Sequence, residues 1–179
     1  MSNYDYQATL KNLYRKALGL YRAGNQDPST YFDEEEQSFI ASIGAHVQEF
    51  FDFVEDVESH GEPDYETFQL IMSVRRDFFF EVQKGVPSDT VAEESDLPAK
   101  TDEIKGIAWL PRLMPKARAR LRGELPDSLM FCCPGDCSFF KTHDIHPADF
   151  LRATWAHLDD DEKMVDWVES RSKARSKVG

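Results

Sequence analysis

Apolar side chains recur at intervals of three and four residues through most of the chain, the spacing that gathers them on one face of an α-helix. In the first half this pattern predicts four helices, over residues 6–23, 34–43, 46–58 and 65–84. Asp33 and Asp64 stand where an N-cap aspartate accepts a hydrogen bond from the first turn of its helix. Short turns between amphipathic helices predict a bundle-like part over residues 1–85.

The periodic spacing of apolar residues stops over residues 86–104, a segment rich in Pro, Ser and acidic residues. We expect a linker or a surface loop there. Residues 105–170 form a predicted second helical domain, with helices that begin near Leu110, at His146 and after Asp159. The fold class is therefore all-α, or mainly α.

Two shorter segments of the second half are less regular. Residues 129–131 and 138–140 are short apolar runs on either side of a turn-like Cys133-Pro134-Gly135-Asp136, which predicts a small β-hairpin. Residues 171–179 are rich in Lys and Arg, and we expect a basic tail that frays.

Charge is distributed unevenly along the chain. The formal net charge is −12, and all of it comes from residues 1–99, while residues 100–179 are nearly neutral. An acidic half repels phosphate, which argues against nucleic acid as a partner. No apolar run approaches the ~20 residues that cross a bilayer, so we expect no membrane partner and a cytoplasmic location.

The helix near Leu110 carries five cations around its apolar stripe, and the pattern predicts a strongly basic outer surface. Such a surface could pair with the acidic half, meet a protein partner, or bind a small anionic ligand through guanidinium groups. The candidate ligand-binding residues are Arg76, Arg112 and Arg118.

The three cysteines all lie within residues 132–137, an odd number that cannot build a disulfide framework and that fits a reducing compartment. Cys132, Cys137, His143 and His146 are candidate zinc ligands, because thiolate and imidazole are the groups that zinc prefers. Their spacing is not that of paired Cys-x-x-Cys motifs, so buried thiols and helix-capping imidazoles, with no cofactor, are the favoured interpretation.

Two catalytic alternatives remain open. Cys133 could be a nucleophile with His143 or His146 as its base and Asp136 nearby, the arrangement of a small Cys-dependent hydrolase. Alternatively, carboxylates on the acidic helices could hold a divalent cation. These are Glu49, Asp52 and Asp56, with Asp77 and Glu81.

Several motifs of the second half also resemble a known family. They are the run from Trp109 to Ala119, the Cys133–Asp136 turn, Asp149-Phe150-Leu151 and Asp166-Trp167-Val168. In this order they resemble a bacterial family catalogued as domain of unknown function five-zero-six-nine, over about residues 105–170. The resemblance implies a helical fold and no established chemistry, and neither Cys132 nor Cys137 belongs to the family's pattern.

The sequence leaves the question of enzyme activity open. Because no catalytic constellation stands out, we expect a non-enzymatic binding or scaffold module, with an unknown protein or a small anionic ligand as its partner. The alternative is a small metal- or Cys-dependent hydrolase that uses the Cys and His cluster or the acidic helices.

Overall fold

The structure is a computed structural model that describes residues 4–175, with the side chains of residues 173–175 left out. The described part contains eight α-helices and one two-stranded sheet, so the prediction of a mainly α fold is confirmed. The chain divides into two compact units, Met1–Pro87 and Ser88–Gly179. No helix among residues 4–175 is long and apolar enough to cross a membrane.

The first unit holds the four helices that the apolar spacing predicts. They are α1 (Tyr6–Arg22), α2 (Glu34–Ser42), α3 (Val47–His60) and α4 (Tyr65–Glu81). Both predicted N-caps are present: Asp33 Oδ1 accepts from the backbone N–H of Glu36 at 2.9 Å, and Asp64 Oδ1 accepts from that of Thr67 at 2.8 Å. These bonds satisfy amides that the first turn of a helix otherwise leaves without partners.

Aromatic rings fill the core of the first unit. Phe68 on α4 is fully buried, and its ring centroid lies 4.9 Å from that of Tyr14, 5.0 Å from that of Phe53 and 5.2 Å from that of Phe50. Most of these rings meet edge to face, the geometry that aromatic quadrupoles favour. Phe68 on α4 thus packs against rings of both α1 and α3.

The second unit begins with a hairpin and continues with four helices. Strands β1 (Glu103–Ile104) and β2 (Ile107–Ala108) pair antiparallel, and α5 (Leu110–Arg122), α6 (Pro134–His143), α7 (Pro147–Ala156) and α8 (Asp161–Arg175) follow. The turn residues Lys105 and Gly106 both have positive φ, at 51° and 75°. Two consecutive positive φ angles match the right-handed twist of the strands that flank a two-residue turn.

The hairpin predicted at residues 129–131 and 138–140 is wrong, because residues 134–143 form α6. Pro134 occupies the first helical position, where a missing N–H costs nothing, and its fixed φ suits a helix. Short apolar runs do not distinguish a strand from a buried helix face, and Phe139 and Phe140 are buried on α6. The observed hairpin reaches into the segment predicted as a linker or loop.

The segments at the two ends of the second unit contain some regular structure. Residues 86–104 include a short 3-10 helix (Glu94–Asp96), and the backbone N–H of Ala92 donates to Glu124 O at 2.8 Å. Residues 171–175 belong to α8, so this part of the predicted frayed tail is helical, whereas residues 176–179 lie outside the described residues.

The predicted basic outer surface of α5 is also wrong. Arg112, Lys116 and Arg120 are only 8%, 3% and 2% exposed. The physical reason is that α5 packs against α7 and β1, so its cations have little access to water and need partners inside the protein. Burial lowers the pKa of Arg120 to about 9, and its guanidinium remains a cation at neutral pH.

We predict that Phe68→Ala destabilises the first unit by about 3–5 kcal/mol, because it removes the ring that joins three helices and leaves a cavity. Leu70→Ala is the control on the same helix, and it should change stability by less than about 0.5 kcal/mol since Leu70 is 41% exposed. Urea unfolding followed by the tyrosine ring signals in NMR measures this unit, because all six tyrosines lie in it. Equal losses in the two variants would contradict the described core.

Candidate functional site

The second unit contains a buried ion pair between α5 and α6. Lys116 lies in the middle of α5, and its Nζ is 2.7 Å from Oδ2 of Asp136, which is in the first turn of α6. The side chains of Lys116 and Asp136 are 4% and 0% exposed. An aspartate in the first helical turn also faces the positive end of the helix dipole, which favours its charge.

Asp136 accepts hydrogen bonds from three places in the chain. The indole N–H of Trp109 donates to Oδ1 at 2.9 Å. Lys116 Nζ donates to Oδ2 at 2.7 Å, and the backbone N–H of Cys132 donates to the same oxygen at 2.8 Å. A buried carboxylate is tolerated only with such partners, because removing it from water costs several kcal/mol.

Two of these donors have an uncommon backbone conformation. Trp109, the residue before α5, has φ of 70°, and Cys132 has φ of 76°. A residue with a side chain in this left-handed region costs about 1–3 kcal/mol, and it persists where the surroundings hold it in place. Both residues also donate a hydrogen bond to Asp136, Trp109 through its indole and Cys132 through its backbone.

The ammonium of Lys116 contacts a second acceptor. Its Nζ lies 3.3 Å from Sγ of Cys133, the residue that precedes α6. Burial acts to lower the pKa of Lys116, but the negative charges and hydrogen bonds of Asp136 and Cys133 outweigh it, so the pKa lies above its ordinary value. Lys116 is therefore a cation at neutral pH.

Cys132 and Cys137 form a separate buried pair. Their Sγ atoms are 3.5 Å apart, and Cys137 Sγ donates to the backbone oxygen of Cys132 at 3.1 Å. The hydrogen bond with Cys137, together with burial, holds the pKa of Cys132 well above its ordinary value. Cys132 is thus a protonated thiol packed in the core.

The two histidines make their hydrogen bonds with groups other than the cysteines. His143 Nδ1 is 2.8 Å from Ser172 Oγ, and its ring packs on Phe139 with centroids 4.4 Å apart. His146 caps α7, and its Nδ1 accepts from the backbone N–H of Ala148 at 3.2 Å. Burial lowers the pKa of His143, so its imidazole is neutral at pH 7.

The four candidate zinc ligands are therefore not gathered into one site. No three His, Cys, Asp or Glu side chains between residues 4 and 172 are arranged to hold a metal ion. The candidate nucleophile and base are separated too, since no hydrogen bond within the described part of the chain joins Cys133 to His143. On the acidic helices, Glu49 accepts from the backbone N–H of His46, and Asp52 accepts from Gln48.

The three candidate ligand-binding arginines lie in three different places. Arg76, in the first unit, packs over the rings of Tyr6 and Phe80 at 4.4 and 4.9 Å. Arg112 donates to Pro98 O at 3.0 Å and pairs with Glu94 at 3.3 Å.

Arg118, the third, pairs with Asp161. The partners of Arg112, Lys116 and Arg118 are acidic residues of the second unit itself.

A groove of about 380 Å³ opens beside the ion pair. One wall is β2 and the residues around it, from Gly106 to Trp109. The other wall is a single face of α6. Five residues lie on this face, because they follow one another at helical spacings of three and four. They are Gly135, Ser138, Phe139, Thr142 and His143. We call this feature the Trp109 groove.

Gly135 sets the position of the indole in this groove. A Cβ atom at Gly135 would lie 2.5 Å from Cζ2 of Trp109, closer than real contacts allow. The ring of Trp109 therefore rests on the backbone of α6 while its N–H reaches Asp136. The indole is fixed from two sides.

The residues that sequence analysis did not single out are Trp109 and Lys116. Trp109 lies just before α5 and Lys116 lies within it, so helical spacing does not connect the two. Asp136 is twenty residues from Lys116, and a spacing pattern within one helix does not show that contact. Lys116 was counted among the cations of a basic surface instead.

The second unit is thus an α-helical domain organised around a buried lysine–aspartate pair beside an aromatic groove. Residues 95–178 match the model of a family described as Domain of unknown function (DUF5069), which confirms the resemblance over about residues 105–170. Every residue of the ion pair and the groove lies inside the matched segment. Searches of curated proteins and of solved structures gave no match.

We predict that Lys116→Met destabilises the second unit by about 3–5 kcal/mol, because it leaves the charge of Asp136 buried without its cation. Urea unfolding followed by tryptophan fluorescence measures this unit alone, since all three tryptophans lie in it. The double variant Lys116→Met/Asp136→Asn should recover part of the loss, because the neutral amide needs no cation.

Lys163→Met is the matched control for this measurement. Lys163 pairs with Asp160 at 2.8 Å, but its side chain is 67% exposed, so water screens the pair and its loss should change stability little. A Lys116→Met variant as stable as this control would refute the structural role of the buried pair.

We also predict that acidification weakens the second unit through His143. Because burial lowers its pKa in the folded state, the unfolded chain binds the proton more readily, and stability falls as the pH drops below about 6.5. His143→Gln removes this group, so the variant should lose less stability than the wild type between pH 7 and pH 5. Equal losses in the two proteins, measured by tryptophan fluorescence in urea, would show that His143 does not titrate in this way.

Proposed function

We propose that this protein is a non-enzymatic binding module, and that its ligand site is the Trp109 groove. The ligand class that fits is a small neutral molecule with a planar apolar ring and a polar edge. The observation that carries the proposal is the groove itself, which is lined by a fixed indole and by both apolar and polar residues of α6.

The size and rigidity of the groove support this proposal. Its volume of about 380 Å³ lies within the range of ligand pockets, about 300–1,000 Å³. The indole of Trp109 is held by Asp136 and by the backbone at Gly135, so binding a ring against it costs little ordering of the protein. A preorganised aromatic surface gains affinity for this reason.

The polar groups of the groove are uncharged at neutral pH. Thr142 lines the groove and donates its hydroxyl proton to Ser138 O at 2.8 Å. Ser138 has an exposed hydroxyl, and His143 presents a neutral imidazole. These groups favour a neutral polar edge over the anionic ligand expected from the sequence.

Hydrolysis has less support than binding. A Cys-dependent hydrolase requires a base in contact with its nucleophile, and His143 is instead bonded to Ser172. Asp136 is fully buried and accepts three hydrogen bonds, so it is not available to a substrate. These contacts favour a structural role for the residues that a hydrolase would use.

The test uses 2-naphthol as the first probe, followed by other neutral bicyclic aromatic compounds, in ¹⁵N NMR titrations of the full chain. We expect shifts at the Trp109 indole N–H and along one face of α6, with a Kd on the order of 1 mM or lower for compounds of this size. Thr142→Phe, which fills the groove, should abolish these shifts.

Lys141→Phe is the matched control, because Lys141 neighbours Thr142 on α6 but does not line the groove. It should bind the probe as the wild type does. Binding that survives in Thr142→Phe, or a panel in which no compound shifts the groove signals, would overturn the proposal.

A further inference from the structure

His143 lines the Trp109 groove, and two neighbours fix the orientation of its imidazole. The ring packs on Phe139, with centroids 4.4 Å apart, and its Nδ1 lies 2.8 Å from Oγ of Ser172 on α8. Phe139 belongs to the groove, whereas Ser172 lies outside its lining. Because Nδ1 is directed at α8, the edge of the ring that carries Nε2 is turned away from Ser172.

A chain of hydrogen bonds decides which nitrogen of His143 carries the proton. The hydroxyl of Ser172 donates its one proton to the backbone oxygen of Val168 at 3.1 Å. The oxygen of Ser172 therefore accepts from His143, so Nδ1 is the protonated nitrogen of the ring. Burial lowers the pKa of His143, and the ring holds a single proton at neutral pH. Nε2 is thus an unprotonated hydrogen-bond acceptor.

The protons of two other polar side chains in the groove have partners within the protein. The indole N–H of Trp109 donates to Asp136, and the hydroxyl of Thr142 donates to Ser138 O. The hydroxyl of Ser138 can either donate or accept. His143 therefore supplies the groove with an acceptor of fixed orientation. A ligand that cannot donate to it removes water from Nε2 without replacing the hydrogen bond, which costs affinity.

We propose that Nε2 of His143 is the specificity-determining group of the Trp109 groove, and that it selects aromatic ligands whose polar edge carries an N–H or O–H donor. The selection rests on the proposed function, because it narrows the ligand class of the same site. The ligand donates to Nε2 while its ring packs on the indole of Trp109. An aromatic ether or ketone, which only accepts, binds more weakly. Ser172 acts through His143 and is a positioning residue.

The test compares indole with benzofuran, which has the same bicyclic shape but an ether oxygen in place of the N–H. Dissociation constants come from ¹⁵N NMR titrations of the full chain, measured at the amides of α6. We expect indole to bind about threefold to tenfold more tightly, the difference that one hydrogen bond makes. Equal affinities would overturn the selection by His143 and leave the groove as a ligand site. If neither compound shifts the groove signals, the proposed function and the selection are both wrong.

The tautomer of His143 is measured in the ligand-free protein, so this arm of the test does not depend on binding. The ¹⁵N chemical shifts of the imidazole, recorded on the full chain at pH 7, distinguish a protonated ring nitrogen from an unprotonated one. We expect a proton on Nδ1 and none on Nε2. A proton on Nε2 would overturn the selection even if both compounds bind in the groove.

Two matched variants on α8 test the positioning role of Ser172. Ser172→Ala removes the acceptor for the Nδ1 proton, so Nε2 should be protonated in part of the molecules and the preference for indole should shrink. Ser170→Ala is the control, because Ser170 donates to Trp167 O on the same helix, and it should change neither quantity. An unchanged tautomer in Ser172→Ala would contradict the positioning role.

His143→Phe tests the acceptor directly. This variant keeps an aromatic ring beside Phe139 but has no nitrogen, so it should bind indole and benzofuran with equal affinity. A preference for indole that persists in His143→Phe would overturn the selection. If this variant does not fold, the tautomer and the preference of the wild-type protein decide the question.

Discussion

The carboxylate of Asp136 joins parts of the second unit that are far apart in the chain. One oxygen accepts from the indole at the start of α5, and the other accepts from Lys116 in the middle of α5 and from the backbone before α6. A buried charge that loses one partner costs several kcal/mol, so these contacts form or break together. Two of the donors, Trp109 and Cys132, have a left-handed backbone conformation.

The Trp109 groove and the partly exposed Cys133 both adjoin this ion pair. Asp136 orients the indole that lines the Trp109 groove. Gly135 has no side chain, so the ring has room to pack against the backbone of α6. Through Lys116, the same ion pair fixes an ammonium beside the sulfur of Cys133. One buried contact thus supports the proposed ligand site.

The spacing of apolar residues predicted most of the helices. It did not predict contacts between side chains that are far apart in the sequence. The four helices of the first unit and their aspartate caps follow from spacing and residue type, which act within a few residues of the chain. The predicted hairpin at Cys133 failed because Pro134 and a buried pair of phenylalanines suit a helix as well as a strand. The basic face of α5 was wrong because periodicity does not show that Lys116 meets Asp136, twenty residues away.

The most direct test of the role of Asp136 is the hydrogen exchange of the Trp109 indole N–H, measured by NMR in the folded protein. If that proton donates to a carboxylate held in the core, it exchanges only when the second unit unfolds, and its protection matches the free energy of unfolding of that unit. Exchange at the rate of a solvated indole would show that Asp136 does not hold Trp109, and the central role of the buried carboxylate would be wrong.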